Sequence, residues 1–270
     1  MGTSGSYTGA GGAAGADMSE GLGSWLDALP ASDGSTEPKP DGQSGPTNLP
    51  QQVVSGALGL LRPSSGRGSG SGGMGSGGGT GSGGGGSAGG GRAGSSRSAT
   101  RMSAAGGRAA AGAYAYVSGN AAGLADLGLD YDSLRALGDP IEVTRRIVGA
   151  VCGERSTSTL EESEERYVAA NVAEWVLNEA ESGVPPDVDE IARHAIATIL
   201  AELISSELGA ALADRPNEIA AVAEDELRDA AGVIASKATL SVAGASESEL
   251  VSAIEAGIDT LRDIYGGDKS

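Results

Sequence analysis

Phenylalanine is absent from this 270-residue chain, and aromatic residues make up only 3% of it. Any core must therefore be assembled from Leu, Ile, Val and Ala, without large rings to fill space. Cysteine occurs once, at Cys152, so no disulfide can form within the chain, and a reducing, cytoplasmic setting is expected. Histidine also occurs once, at His194. One Cys and one His cannot assemble a Cys/His zinc site, and neither a metal nor a cofactor is expected. The three lysines, Lys39, Lys237 and Lys269, all lie outside any G-x-x-x-x-G-K-[ST] setting, which excludes a phosphate loop of that type. No apolar run approaches the ~18–20 residues needed to span a bilayer, so no membrane contact is expected. A basic segment followed by an apolar one is also missing at the N-terminus, and a secretory signal is not expected.

Glycine, by contrast, occurs 47 times, and the charge is strongly one-sided. Residues 1–130 carry 7 Lys or Arg against 8 Asp or Glu; residues 131–270 carry 11 against 28, a net of −17 out of −18 for the chain. An acidic surface of this kind disfavours a grip on a phosphate backbone and suits solubility, a basic protein partner or a salty cytoplasm. Helical patterning from Tyr131 onward, with no clean period-two alternation, predicts an all-α protein with a C-terminal bundle of five or six helices behind a long disordered Gly/Ser-rich N-terminal region.

Five segments follow from the pattern. Residues 1–16 form a small-residue tail around Tyr7. Residues 17–61 read as a Pro-rich linker carrying two apolar islands. In the first, Leu22, Trp25, Leu26 and Leu29 fall at i, i+3, i+4 and i+7, one face of a short helix. The second holds Val53, Val54, Leu58, Leu60 and Leu61. Serial islands of this kind read as linear binding elements. Residues 62–96 are a Gly/Ser/Arg tract whose middle, 66–91, has nothing to bury and is expected to be a coil spanning roughly 30 Å. Residues 97–130 are Ala- and Arg-rich and partly helical, weakened by Gly106, Gly107 and Gly112. Residues 131–266 are an acidic helical domain. Within it Asp139-Pro140 is an N-cap and N1 pair opening a helix to about Val151. Further helices are expected over 158–181, 188–212, 217–239 and 247–265.

Few residues point to chemistry, and no catalytic residue is assigned. A Cys152–His194 nucleophile pair is outweighed by the reading of Cys152 as a buried thiol. Adjacent carboxylates such as Glu164/Glu165 and Asp225/Glu226 read as solvated helix faces at this acid density. The six arginines between 62 and 108 face no acid in their own segment. They would suit nucleic acid only loosely, because no aromatics are interleaved with them, and an acidic protein surface serves equally well.

With Gly at position two, the initiator Met is expected to be trimmed, leaving a free and unhindered Gly2 amine that is partly deprotonated near neutral pH. The start Met1-Gly2-Thr3-Ser4-Gly5-Ser6-Tyr7 is followed by the island Ser24-Trp25-Leu26-Asp27, a Pro-rich patch, a Gly/Ser/Arg tract and the Ala-rich Arg segment from Ala99 to Gly112. This order resembles the QatB family, the subunit of unassigned activity in the Qat anti-phage defence systems. The chain departs from the family at Thr8-Gly9-Ala10, where a Gly-Pro pair would follow the Tyr. The resemblance implies a non-enzymatic role and three partners: a QueC-like enzyme (QatC), an ATPase (QatA) and a TatD-like nuclease (QatD). QueC-type enzymes activate a carboxyl-bearing 7-deazaguanine with ATP and pass it to an amine. The resemblance therefore makes Gly2 the candidate acceptor or ligand in the QueC-like active site. Thr3, Ser4, Ser6 and Tyr7 would enter with it, while Leu22, Trp25 and Leu26 would anchor on the partner outside. The alternative is a nucleic-acid-associated adaptor whose Arg/Gly/Ser tract recruits the nuclease.

Overall fold

The computed structural model describes residues 13–29, 48–62, 97–153, 159–212, 215 and 217–266. They form ten helices: α1 (Ala13–Ala28), α2 (Gln51–Leu60), α3 (Ala99–Val117), α4 (Ala121–Asp126), α5 (Tyr131–Leu137), α6 (Pro140–Cys152), α7 (Leu160–Glu181), α8 (Val188–Leu212), α9 (Asn217–Ala235) and α10 (Glu247–Tyr265). Among these residues the β pairing is a two-residue parallel ladder of β1 (Leu61–Arg62) with β2 (Arg97–Ser98). The all-α expectation holds, but a bundle of five or six helices does not. The islands before residue 62 and the Ala-rich segment join one hydrophobic core with the acidic domain, running from Met18 to Leu261.

Local chemistry accounts for the helix boundaries. Asp139 accepts from the Ile141 N–H at 3.0 Å and opens α6 with Pro140 at its first position; Gly153, at φ +75°, ends it. Thr159 and Glu162 make a reciprocal capping box at the start of α7. Asn120 and Asp130 cap α4 and α5 by accepting from the Gly123 and Ser133 N–H groups. α9 stops at Ala235, short of the expected residue 239. There Arg193 of α8 donates to the carbonyls of Ser236 (2.9 Å) and Ala238 (3.1 Å), satisfying acceptors that a continuing helix would have used.

α3 is the axis of the fold. It packs against α4, α6, α7, α8 and α10. Its glycines, which weaken a helix in isolation, sit where neighbours come closest. A Cβ on Gly107 would lie 2.6 Å from Val251 Cγ2 and 2.9 Å from the Val251 backbone nitrogen; one on Gly112 would lie 3.1 Å from Ile147 Cγ2. Each glycine costs a free helix roughly 1 kcal/mol, which close packing on several sides offsets.

α1 and α2 pack on each other and against α8; α2 also meets α10. Met18, Leu22, Trp25 and Leu26 are all buried at this junction. Burial at about 1.5–3 kcal/mol per large apolar side chain outweighs the three glycines that α1 carries. Two polar ties reinforce it. Arg262 of α10 donates to the carbonyls of Leu61 (2.8 Å) and Leu58 (3.4 Å) at the end of α2, and pairs with Asp259. Arg215 forms an ion pair with Asp27 of α1 at 2.9 Å.

Two outcomes are expected. Gly107→Ala should destabilise the protein by about 1–3 kcal/mol, because Val251 backbone must move. Gly149→Ala in α6, whose Cβ meets nothing within 4 Å, should stabilise it by up to about 1 kcal/mol. Urea unfolding decides, and equal stability of the two variants would refute the packing account. Arg262→Ala should lower hydrogen-exchange protection of α1 and α2 by at least tenfold and leave α3 and α7 unchanged. Uniform loss across all helices would show that α1 and α2 are not a separable unit.

Candidate functional site

The residues singled out by the sequence do not come together in one site among the described residues. Gly2, Thr3, Ser4, Ser6 and Tyr7 fall outside the described residues, as does the Gly/Ser tract from 66 to 91. Leu22, Trp25 and Leu26, expected to anchor a partner, have their apolar faces covered by this chain itself, with Trp25 and Leu26 each 2% exposed. At the two ends of the basic tract the β1–β2 ladder pairs Leu61 with Arg97 and Arg62 with Ser98. Arg101 and Arg108 lie on α3 and face acids of the helical domain: Arg101 with Glu165 at 3.4 Å and Glu161 at 3.7 Å, and Arg108 with Glu247 at 2.6 Å.

No hydrogen bond joins Cys152 and His194. Cys152 ends α6, and burial pushes its thiol pKa up, which disfavours the thiolate. Glu164, read as part of a solvated face, is instead 4% exposed. Its neighbour Glu165 has a raised pKa because of burial, opposed by Arg101. Among the described residues, no group of three or more His, Cys, Asp or Glu side chains is placed to hold a metal ion. No helix among them is long and apolar enough to cross a membrane.

The described residues do hold a built cavity. α7 and α9 flank α8 and leave a groove between them of about 410 Å³. Four-residue spacing on each helix creates it. Tyr167 and Asn171 form one wall on α7, and Glu224 and Arg228 form the other on α9. The floor is the half-buried face of α8, where Ala197 and Ala201 leave room above the backbone. His194 lies at one end of the floor. Its ring stacks on Trp175 of α7, with centroids 4.2 Å apart and planes 9° from parallel. Trp175 continues the Tyr167–Asn171 stripe by one more turn of α7. That spacing marks one face of a helix, and nothing in it showed that α8 and α9 would close a groove beside that face.

Burial lowers the His194 pKa to about 4, so the imidazole is neutral at pH 7. The Thr198 hydroxyl on the floor donates to the His194 backbone carbonyl at 2.9 Å, so it is directed to its own helix and not to the imidazole. On the α9 wall Arg228 pairs with Asp225 at 2.9 Å and more loosely with Glu224 at 3.9 Å. Tyr167 is 46% exposed and presents its ring at the groove mouth. The groove thus combines flat π surfaces, a neutral imidazole and carboxylates from Glu202 and Glu224.

No family model matches the chain, and no curated protein or solved structure is significantly similar to it.

As the chain's one histidine, His194 gives an unambiguous imidazole signal in NMR. Its folded-state pKa lies below the unfolded value near 6.5, so the unfolded chain binds the extra proton first. Stability contributed by the neutral ring is complete above pH 6.5 and is lost as the pH falls towards 4, by roughly 3 kcal/mol in all. The ring should therefore stay neutral on titration from pH 8 to 5. A midpoint between 6 and 7 would contradict a buried, stacked imidazole.

Proposed function

We propose that this chain is a non-enzymatic subunit of a bacterial anti-phage defence complex. In this reading it docks a QueC-like partner and offers the Gly2 amine as a ligand, or as an acceptor for a deazaguanine. The observation that carries the reading is the start Met1-Gly2-Thr3-Ser4-Gly5-Ser6-Tyr7 ahead of the Ser24-Trp25-Leu26-Asp27 island.

The position of α1 adds support. Its buried face, which begins at Met18 among the residues whose side chains are described, seats on α2 and α8 and anchors α1 to the helical body. The residues from Gly2 to Gly12 ahead of α1 reach roughly 40 Å at full extension. That is far enough to enter a deep active site while the helical body stays outside. Trp25 and Leu26 then fix the base of the tail to its own body. The adaptor reading is weakened by Arg101 and Arg108, whose guanidinium groups are already matched by Glu161, Glu165 and Glu247.

The test is the intact mass of the protein and of its N-terminal peptide after co-expression with and without the QueC-like partner. A partner-dependent mass increase on Gly2 makes the chain an acceptor substrate. An unmodified Gly2 on a protein that still co-purifies makes it a bound ligand. An unmodified Gly2 with no co-purification overturns the reading. Inserting one Ala between Met1 and Gly2 should abolish protection against phage without changing thermal unfolding. Continued protection would refute the terminal-amine role.

A further inference from the structure

We infer that the groove between α7 and α9 is a docking site for a guanidinium group, supplied by an arginine in a basic segment of a partner protein. The inference does not depend on the role proposed for Gly2.

Charge selects the class of occupant. Glu202 reaches the groove from α8 and Glu224 from α9, in a half-chain with a net charge of −17. A phosphate or other anion would meet both carboxylates. An apolar side chain would strip water from Glu224 and return no hydrogen bond. Arg228, the one cation lining the groove among the described residues, is held by Asp225 at 2.9 Å, whereas its contact to Glu224 is at 3.9 Å and exposed to water. Glu224 is thus available for a closer ion pair with an incoming cation at little cost.

Shape selects guanidinium over ammonium. Tyr167, 46% exposed, and His194, its ring stacked on Trp175 at 4.2 Å, both line the groove and supply it with flat π systems. A planar delocalised cation stacks on such faces and still directs its N–H groups at carboxylates in its own plane; a point-charged ammonium gains only the charge term. His194 being neutral matters here, because an imidazolium would repel the ligand. The small floor residues Ala197 and Ala201 leave the depth that the side chain needs.

The probe is a blocked pentapeptide with a central arginine, titrated into the full-length protein and followed by the His194 ring and Trp175 indole signals. Two twins carry citrulline or lysine at the same position. The arginine peptide should give saturable shifts at both residues, with the citrulline twin at least tenfold weaker and the lysine twin about threefold weaker. Tyr167→Ala and Glu224→Gln should each weaken arginine binding about three- to tenfold, and Tyr167→Phe, which keeps the ring, should retain it. Equal affinity for citrulline or lysine would overturn the guanidinium assignment. So would binding that salt abolishes while Glu224→Gln and Tyr167→Ala leave it unchanged, since that marks diffuse attraction to an acidic surface. Absence of saturable shifts at His194 and Trp175 would overturn the site itself.

Discussion

The contact between α3 and the helices around it sets the dimensions of the whole molecule. At Gly107 there is no room for a Cβ beside Val251, and at Gly112 the space is taken by Ile147 and Leu127. Helices that approach this closely make many backbone-level dispersion contacts, each worth little and together substantial. A chain without phenylalanine needs such contacts, because it has few large side chains to bridge wider gaps. Ala105, Ala109, Ala110 and Ala113 extend the same close-packed surface along α3. The positions of α7, α8 and α10 follow from it, and with them the groove that α9 completes.

Electrostatic matching is the second layer. In so acidic a protein each cation has several carboxylates or carbonyls to choose from, and arginine uses them to tie elements together. Arg101 and Arg108 connect α3 to α7 and α10. Arg193 closes the end of α9, and Arg262 closes the end of α2. The planar fork suits these roles, since one guanidinium can satisfy two carbonyls or a carbonyl and a carboxylate at once. Three of these four ties join segments that the sequence pattern treats as separate.

Much of the local structure was legible beforehand. Asp139-Pro140, the acid-rich opening of α7 and the glycine stops marked helix ends through short-range chemistry, and the structure has helices there. The i, i+3, i+4, i+7 stripe from Leu22 to Leu29 correctly identified a helix with one sticky face. What covers that face was not legible, because an apolar stripe has the same pattern whether it meets another chain or its own. The glycines of α3 were misleading in the same way: propensity counts their cost in a free helix, whereas their benefit appears only beside Val251 and Ile147. Of the groove, His194 stood out by being unique. Trp175, Tyr167, Glu202 and Glu224 did not, since aromatic and acidic residues at helical spacing carry no mark of which three helices will adjoin.

By itself, the sequence determined that this protein is helical, acidic and short of large rings, and where most of its later helices begin and end. Those properties depend on composition and on interactions within a few residues along the chain. The tertiary structure alone decided that α1, α2 and α3 share one core with the acidic helices, that two arginines of the basic tract face the protein's own carboxylates, and that α7, α8 and α9 enclose a groove. These depend on contacts between residues as much as 204 positions apart, as between Arg262 and Leu58. Such contacts are set by which surfaces fit together in space, and local periodicity holds no record of that fit.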